Sequence, residues 1–532
     1  MKKKLRFILA PMLALTMLVG CGGNNAANTN AEVSPGESVT AEATGENIAE
    51  TLVFAQGAEP RGLDPAFVDD GESAKVIVNV YEGLLAYEED STELKPCLAE
   101  SWEVSEDGLS YTFKLKEGVK FHDGTDFNAE AVKYNIDRQL PPQRTEDMPY
   151  ASFTFGDVES VEVIDTYNVK INLSKVNTAF LANLAMSLAA PMVSPTALEA
   201  NGGNCNQAPV GTGPYKFVSW NPSEDIVLTR NDEYWGEPAK TKNIIFKFIP
   251  DNSARIVALK NGEVDMIDGI DSTGVSQIEA DGNMVYNVPG MNINYMAYNT
   301  TRAPFDNPEL RKALSKAVNV EELVKALYGD YAEVATSILP SFIPGYSEEI
   351  KQVEYDPEAA KSELEALGFN QPIKMIVYNN PRVYNPRSKA LAEAIQSYWS
   401  KVGVEVVIED YDWTTYKDRI ATQDYDVCFY GWVGDNGDPD NFLNLLSDPT
   451  PDMNVAHFND EAYNLIIKEG TSTEKGEARN KIYTEAEQYV ADKAVWLPIS
   501  HANNLSAYAP NVQNYYYHQT GTVFFKNMYK TK

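Results

Sequence analysis

The amino-acid sequence predicts an α/β protein built as two lobes. Three observations carry that prediction. The chain has 532 residues, 43% of them hydrophobic, enough for several units of about 150 residues each. The first half alternates apolar and polar residues in short runs closed by turn signals, the pattern of half-buried strands. Beyond about residue 290 the rhythm becomes helix and strand in alternation, which argues for an α/β unit with a largely parallel sheet. A short Tyr-rich return segment follows it.

At the start, Lys2, Lys3, Lys4 and Arg6 precede an apolar run from Ile8 to Val19, broken by Pro11 and Thr16. That run is too short to span a bilayer and reads as a signal segment. It ends in Leu18-Val19-Gly20-Cys21, which resembles the bacterial lipobox. The resemblance implies diacylglyceryl transfer to Cys21 and cleavage before it; two acyl chains hold a protein stably where one is marginal. Residues 22–50 contain no aromatic residue, no Lys and no Arg, but five Glu. Such a segment cannot bury enough surface to offset its ordering entropy. It is expected to act as a tether with a reach of about 30 Å.

The folded body starts with a short buried strand, Thr51 to Ala55, stopping at Gln56-Gly57. Ser101–Val104 and Tyr111–Leu115 form a hairpin around Ser105-Glu-Asp-Gly108. Helical spacing appears at Ala129–Gln139 and Ala179–Ala190. Gly211-Thr-Gly-Pro-Tyr215 is a sharp turn before a strand pair near Lys216–Trp220 and Ile226–Arg230. Asp306-Asn307-Pro308 and Asp356-Pro357 open helices, with cap and first-turn proline together. The strand Ile373–Tyr378, the helix Ser388–Lys401 stopped by Gly403, and strands Val404–Ile408 and Asp426–Trp432 follow. Helices return at Asp460–Glu469 and Glu477–Ala491, and from Ala494 onward short strands and Tyr-rich loops are expected.

Composition removes several functions. Lys and Arg total 44 against 77 Asp and Glu, a net charge of −33. A chain this acidic does not suit nucleic acid, where cations must neutralise phosphates, nor a peripheral grip on anionic lipid. Four His and four Cys are too few for a disulfide scaffold. Beyond Cys21, the thiols Cys97, Cys205 and Cys428 permit at most one disulfide, and Cys428, in an apolar strand, reads as an inert core thiol. No later apolar stretch is long enough to span, so lipid is the expected sole membrane anchor. HExxH, GxSxG and C-x2-C patterns are absent, and the turn at 211–213 lacks the Lys of a phosphate loop. In Asp435-Asn-Gly-Asp-Pro-Asp440 the glycine is third, not sixth as a calcium loop requires. No catalytic residue, metal or cofactor is expected.

What remains binds. Ligands of open α/β sheets sit outside the carboxyl ends of strands, here the loops after Ala55, Tyr378 and Trp432. Gly431-Trp-Val-Gly-Asp-Asn-Gly-Asp-Pro-Asp-Asn441 follows one strand, and Asn379-Asn-Pro-Arg-Val-Tyr-Asn-Pro386 follows another. If those strands are neighbours, a carboxylate and the Arg382 guanidinium can face one cleft. The alternative is a surface arginine and a solvated acidic turn.

Long ordered segments then resemble a known family. Leu98–Gly108, Tyr111–Leu115, Glu117-Gly-Val-Lys-Phe-His-Asp-Gly124, Val210–Tyr215, Tyr298-Asn299 with Pro304-Phe305, and Arg311–Asn319 are similar to segments of the peptide/nickel family of extracytoplasmic solute-binding proteins, which serve ABC importers. The run from Gly431 to Phe442, and Arg382 with Tyr384-Asn385-Pro386, resemble its dipeptide-binding branch. The resemblance implies a periplasmic-binding-protein fold of type II, cluster C, with an extra β-rich subdomain in lobe I. The divisions expected are a signal at 1–20, a tether at 21–50, lobe I at 51–291 and 501–532 with the subdomain at about 76–205, and lobe II at 292–500.

It also implies site roles. Asp435 stands where the branch takes the ligand ammonium, and Arg382 where it takes the carboxylate. Gln56, Gly57 and Ala58, with the backbone of Tyr430, Gly431 and Trp432, match segments holding the peptide main chain; Trp432 matches a residue lining the side-chain pocket, and Tyr384 lies beside Arg382. Val383, Phe342 and Ala55-Gln-Gly57 depart from the branch pattern, which bears on side-chain preference more than on the charged anchors. The partners implied are a short peptide, most simply a dipeptide, and the permease subunits of an ABC importer, with the protein a lipid-anchored, extracytoplasmic monomer. Alternatives are glutathione, haem or a nickel chelate as solute, an extracytoplasmic hydrolase, or a signalling lipoprotein.

Overall fold

The structure, a computed structural model, describes residues 47–379, 382–447 and 453–532. The signal segment, Cys21 and nearly all of the tether lie outside the described residues. The remainder is a two-lobed α/β fold around a twelve-stranded sheet.

One strand, Trp496–Tyr508, runs through both halves of that sheet. Its first part pairs antiparallel with Asn292–Tyr298, Ala297 opposite Trp496. Its last part pairs with Met266–Asp268 on one edge and Met284–Pro289 on the other. On one side the order continues through Val427–Val433, Ile373–Tyr378 and Val406–Tyr411. On the other it continues through Thr51–Gln56, Asn243–Phe248, Asp225–Arg230 and Tyr215–Asn221. Two cores result. One draws its buried apolar residues from Met291 to Ile499; the other runs from Leu52 to Met528. In the second, Phe54, Phe246 and Phe525 meet edge-on with centroids 5.4–5.8 Å apart, where loss of one ring costs about 3–5 kcal/mol.

Between the two halves the chain crosses at Gly290–Asn292 and at His501–Ala502. Asn292 ties these crossings together: Nδ2 donates to the Ala502 carbonyl (2.7 Å) and Oδ1 accepts from the Ala502 amide (2.9 Å). A Cβ on Gly290 would lie 2.3 Å from the Ala502 carbonyl, so the close approach needs glycine.

A separate four-stranded antiparallel sheet, Ala99–Val104, Ser110–Leu115, Asn168–Leu173 and Val158–Asp165, packs with the helix Ala129–Asp137 around its own core. This is the β-rich addition to lobe I. The Gly211-Thr-Gly213 turn rides over the end of the helix Gly71–Val80: a Cβ on Gly211 would meet the Val80 carbonyl at 2.2 Å. These glycines serve backbone contact.

Three expectations need correction. The sheet is mixed, not largely parallel: Ile373–Tyr378 runs parallel to both neighbours, but Val427–Val433 is antiparallel to Asn292–Tyr298. The helix expected over Ala179–Ala190 shrinks to Phe180–Asn183. Tertiary bonds redirect the rest, since the Ala189 amide donates to the Pro65 carbonyl (2.7 Å) and Ala189 takes φ +61°. The first of the expected carboxyl-terminal short strands is instead one strand of 13 residues, sustained by partners far away in sequence; beyond it Val512–Gln513 and Tyr529–Lys530 are short, as expected. All three described thiols are free, and burial pushes the Cys428 thiol up, as an inert core group requires.

Candidate functional site

The strands Ile373–Tyr378 and Val427–Val433 are parallel neighbours, Met375 opposite Val427 and Ile376 opposite Cys428. Their carboxyl ends therefore lie on the same edge, and the loops carrying Arg382 and Asp435 leave from it. Residues 380 and 381 of the first loop lie outside the described residues.

Arg382 is half-buried and stacks its guanidinium on Trp413, 3.7 Å from the ring centroid. Trp413 in turn stacks on Tyr430, with centroids 5.7 Å apart. Among the described residues Arg382 forms no ion pair, and its buried Nε has no hydrogen-bond partner. Tyr384 packs on Gly431 so closely that a Cβ there would lie 2.2 Å from its ring; burial pushes its phenol up to about 12. Trp432 is half-buried and donates from Nε1 to Asn441 Oδ1 at 2.8 Å. The same Asn441 oxygen accepts the Asp435 amide at 3.2 Å. Arg382, Tyr384, Tyr430, Gly431, Trp432 and Asp435 thus form one connected patch. Tyr430 and Asp435 are five residues apart, at most about 18 Å of extended chain.

Asp435 has no cation within ion-pair reach among the described residues. Its carboxylate accepts from Tyr150 Oη at 3.1 and 3.2 Å. Burial nevertheless pushes the carboxyl up to about 7, with Tyr150 countering it. An unneutralised carboxylate and an unneutralised guanidinium, both half-buried, therefore follow the ends of two neighbouring strands, and burying a charge unpaired is expensive.

The rest of the acidic turn is satisfied internally. Asp438 accepts a bidentate pair from Arg479 at 3.0 and 2.7 Å, both side chains buried. Burial opposes ionisation of Asp438, but Arg479 outweighs it and holds the carboxyl below its usual value. Asp440 accepts from Thr471 (2.8 Å) and Tyr483 (3.1 Å); burial, with Asp438 beside it, pushes it up to about 6. Asp438 is occupied by arginine, which removes the calcium-loop reading.

Sequence reasoning missed the groups facing this turn from the β-rich subdomain and its hairpin. Tyr87 Oη donates to the Asp435 carbonyl (3.3 Å), and Asn436 Nδ2 donates to Asn183 Oδ1 (2.6 Å). A Cβ on Gly437 would fall 1.7 Å from Thr92 Oγ1. Thr178 donates from its amide (3.1 Å) and hydroxyl (3.0 Å) to the Thr471 carbonyl. No local spacing signals these partners; Trp413 alone had one, as an aromatic directly after the N-cap Asp412.

Gln56, Gly57 and Ala58 end the strand Thr51–Gln56 in the other half of the sheet. Gln56 is fully buried and donates from Nε2 to the Ala58 carbonyl (2.8 Å), while its Oε1 has no partner. Gly57 lies against Arg255, whose Nη1 would be 3.2 Å from a Cβ. No described hydrogen bond joins this segment to the Arg382–Asp435 patch. Among the described residues no group of three or more His, Cys, Asp or Glu is arranged to hold a metal ion, and no helix is long and apolar enough to cross a membrane.

Two lobes joined by crossing strands, with uncompensated charges at strand ends, define a protein that holds a small solute. The family model of bacterial extracellular solute-binding proteins, family 5 Middle, matches residues 93–454. The chain is 32% identical over 540 residues to Heme-binding protein A of Haemophilus influenzae, covering 96% of each chain. The ABC transporter-associated periplasmic binding protein DppA from Helicobacter pylori, solved with the peptide STSA, superposes with a TM-score of 0.79 at 30% identity, over 92% of this chain and 99% of that one. A dipeptide binding protein from Pseudoalteromonas sp. SM9913, solved with Met-Leu, gives 0.81 at 28% identity, over 90% and 100%. The chain belongs to the family 5 extracellular solute-binding proteins, near their dipeptide-binding branch. It is a transport protein that binds its substrate, not an enzyme.

Proposed function

We propose that the protein captures a short peptide, most simply a dipeptide, between its lobes and delivers it to the permease of an ABC importer. Asp435 takes the peptide ammonium and Arg382 the carboxylate. Gln56–Ala58 and the backbone of Tyr430 and Gly431 hold the main chain, while Trp432 and Tyr384 line the side-chain space. The observation that carries this reading is the pair of uncompensated opposite charges on loops leaving neighbouring parallel strands. A zwitterion supplies the missing partner of each. Charge-assisted contacts of this kind contribute roughly 1.5–3 kcal/mol apiece, and a guanidinium matches a carboxylate in bidentate geometry.

Lobe I is then 51–291 with 501–532, carrying the extra subdomain at about 76–205, and lobe II is 292–500. The hinge lies where Asn292 clasps Ala502. Cys21 carries the lipid that anchors the monomer; Cys21→Ala should release it from membranes, and unchanged retention would refute the anchor.

Calorimetry with a dipeptide, its N-acetyl form and its C-terminal amide tests the anchors. Removing one partner leaves a buried charge unpaired, about 3–5 kcal/mol, or roughly two to four decades in affinity. Asp435→Ala and Arg382→Ala should each lose that much. The N-acetyl ligand should lose little more in Asp435→Ala, and the amide little more in Arg382→Ala. Normal dipeptide binding by Arg382→Ala alongside lost binding by Asp435→Ala would end the dipeptide assignment. Haem is the second reading, supported by the likeness to Heme-binding protein A; a haem titration followed by absorbance, repeated with saturating dipeptide, separates the two.

A further inference from the structure

A cavity of about 690 Å3 opens in the first lobe, between the helix Gly71–Val80, the hairpin of Leu85–Tyr87 and Leu94–Pro96, and residues 514–527. That is within the usual 300–1,000 Å3 of small-molecule sites. Of the peptide-site residues only Asp435 borders it. Its backbone carbonyl meets Tyr87 there, whereas Tyr150, which holds its carboxylate, does not line the cavity.

The walls are aromatic. Tyr234 and Trp235 form one side, with centroids 5.2 Å apart. Phe524 lies at the edge, 40% exposed, against His518, which is stacked on Tyr87. Glu82 borders the cavity with both oxygens taken by neutral donors: Tyr234 Oη at 2.6 Å, and Trp235 Nε1 and Thr212 Oγ1 at 2.8 Å. Lys95 is paired with Glu88 at 3.2 Å, and the Glu89 carboxylate accepts from Asn527 at 3.3 Å.

Two cations are left over. Lys240 and Lys526 both line the cavity and are joined by a backbone hydrogen bond, Lys240 amide to Lys526 carbonyl, 3.0 Å. Among the described residues neither forms an ion pair. Their ammonium groups rest over aromatic rings instead, Lys526 5.6 Å from Tyr234 and Lys240 5.0 Å from Tyr529. In a chain with 77 acidic and 44 basic residues, two lysines beside an aromatic hollow form no ion pair; Glu82 lies near enough to feel the Lys526 charge, but its oxygens are held by the neutral donors. A carboxylate entering the cavity supplies the ion-pair partner that both lysines lack.

The geometry points to a second ligand site in lobe I that takes a small aromatic carboxylate, its ring between Tyr234–Trp235 and Phe524 and its charge on Lys240 and Lys526. The site is independent of the peptide reading. The test uses the intact protein with 2-naphthoate, and with 2-naphthamide as the same ring without charge, in equilibrium dialysis. One saturable naphthoate site per chain is expected, with naphthamide weaker by about tenfold or more. In Lys240→Gln/Lys526→Gln the two probes should bind alike, at the amide level; Phe524→Ala should weaken both. Circular dichroism confirms the fold of these surface variants. Failure of naphthoate to saturate, undiminished naphthoate binding by the double variant, or its loss in Arg382→Ala would each overturn the proposal; the last would place the probe at the peptide site.

Discussion

Replacing Asp435 by asparagine should stabilise the ligand-free protein while abolishing peptide capture. Burial pushes the Asp435 carboxyl up to about 7 in the folded protein, from an ordinary value of 3.8. Between those values the native state holds a proton that the unfolded chain has released, so stability falls as pH rises through the window. At about 1.4 kcal/mol per pH unit the full gap amounts to roughly 4 kcal/mol by pH 8. Water reaching the cleft screens part of it, so the expected gain for Asp435→Asn is about 2–4 kcal/mol at pH 8, shrinking towards zero near pH 4. Asparagine keeps an oxygen for the Tyr150 hydroxyl, which makes it the right substitution. Urea unfolding of ligand-free protein from pH 4 to 8 measures the gain; calorimetry should show dipeptide affinity reduced by roughly two to four decades. If the variant is no more stable at pH 8, or its advantage does not vary with pH, the claim of an uncompensated buried carboxylate fails.

Other consequences follow from the same turn. Wild-type affinity for a dipeptide should fall about tenfold per pH unit below about 7, because the ammonium must displace the proton on Asp435; an N-acetyl dipeptide should show no such slope. Arg479→Met leaves Asp438 buried without its bidentate partner and should cost about 3–5 kcal/mol in chemical denaturation, with part recovered by adding Asp438→Asn. Gly437→Ala puts a methyl group where Thr92 Oγ1 lies 1.7 Å away, so the subdomain must back off. Peptide should then bind about tenfold more weakly, and small-angle scattering should show less contraction on adding ligand.

Much of lobe II is legible because its signals are local. Ile373–Tyr378 and Val427–Val433 are apolar runs bounded by turn residues, and Asn307-Pro308 and Asp356-Pro357 start helices by capping and a fixed φ. What escaped the sequence is set by contacts between distant residues. Ala179–Ala190 has helical spacing, yet Pro65 and Gln139 bind Ala189 and draw its chain out of the helix. His501-Ala-Asn-Asn504 interrupts the apolar pattern of the last long strand, but Asn292, 210 residues earlier, satisfies it. The hydroxyls and amide that meet Asp435 and its neighbour Asn436 stand 348, 285 and 253 residues upstream, so no spacing rule leads to Tyr87, Tyr150 or Asn183.

The turn from Asp435 to Asn441 explains why one cost is tolerated there. Three carboxylates within six residues repel one another, and an unsupported loop would splay. Arg479 neutralises Asp438. Thr471 and Tyr483 hold Asp440, which burial and Asp438 push towards the protonated form. Asn441 pins the Asp435 backbone to the Trp432 indole. With two of the three charges settled within the turn's own surroundings, the remaining one, Asp435, has no cation within ion-pair reach among the described residues. Were Asp435 merely a solvated surface group, Tyr150 would not need to reach it from the opposite side, nor would burial raise its carboxyl. A fixed carboxylate lacking only a cation is preorganised for a ligand that brings one, and Arg382, without an ion pair among the described residues, is what leads us to propose a ligand that also brings an anion.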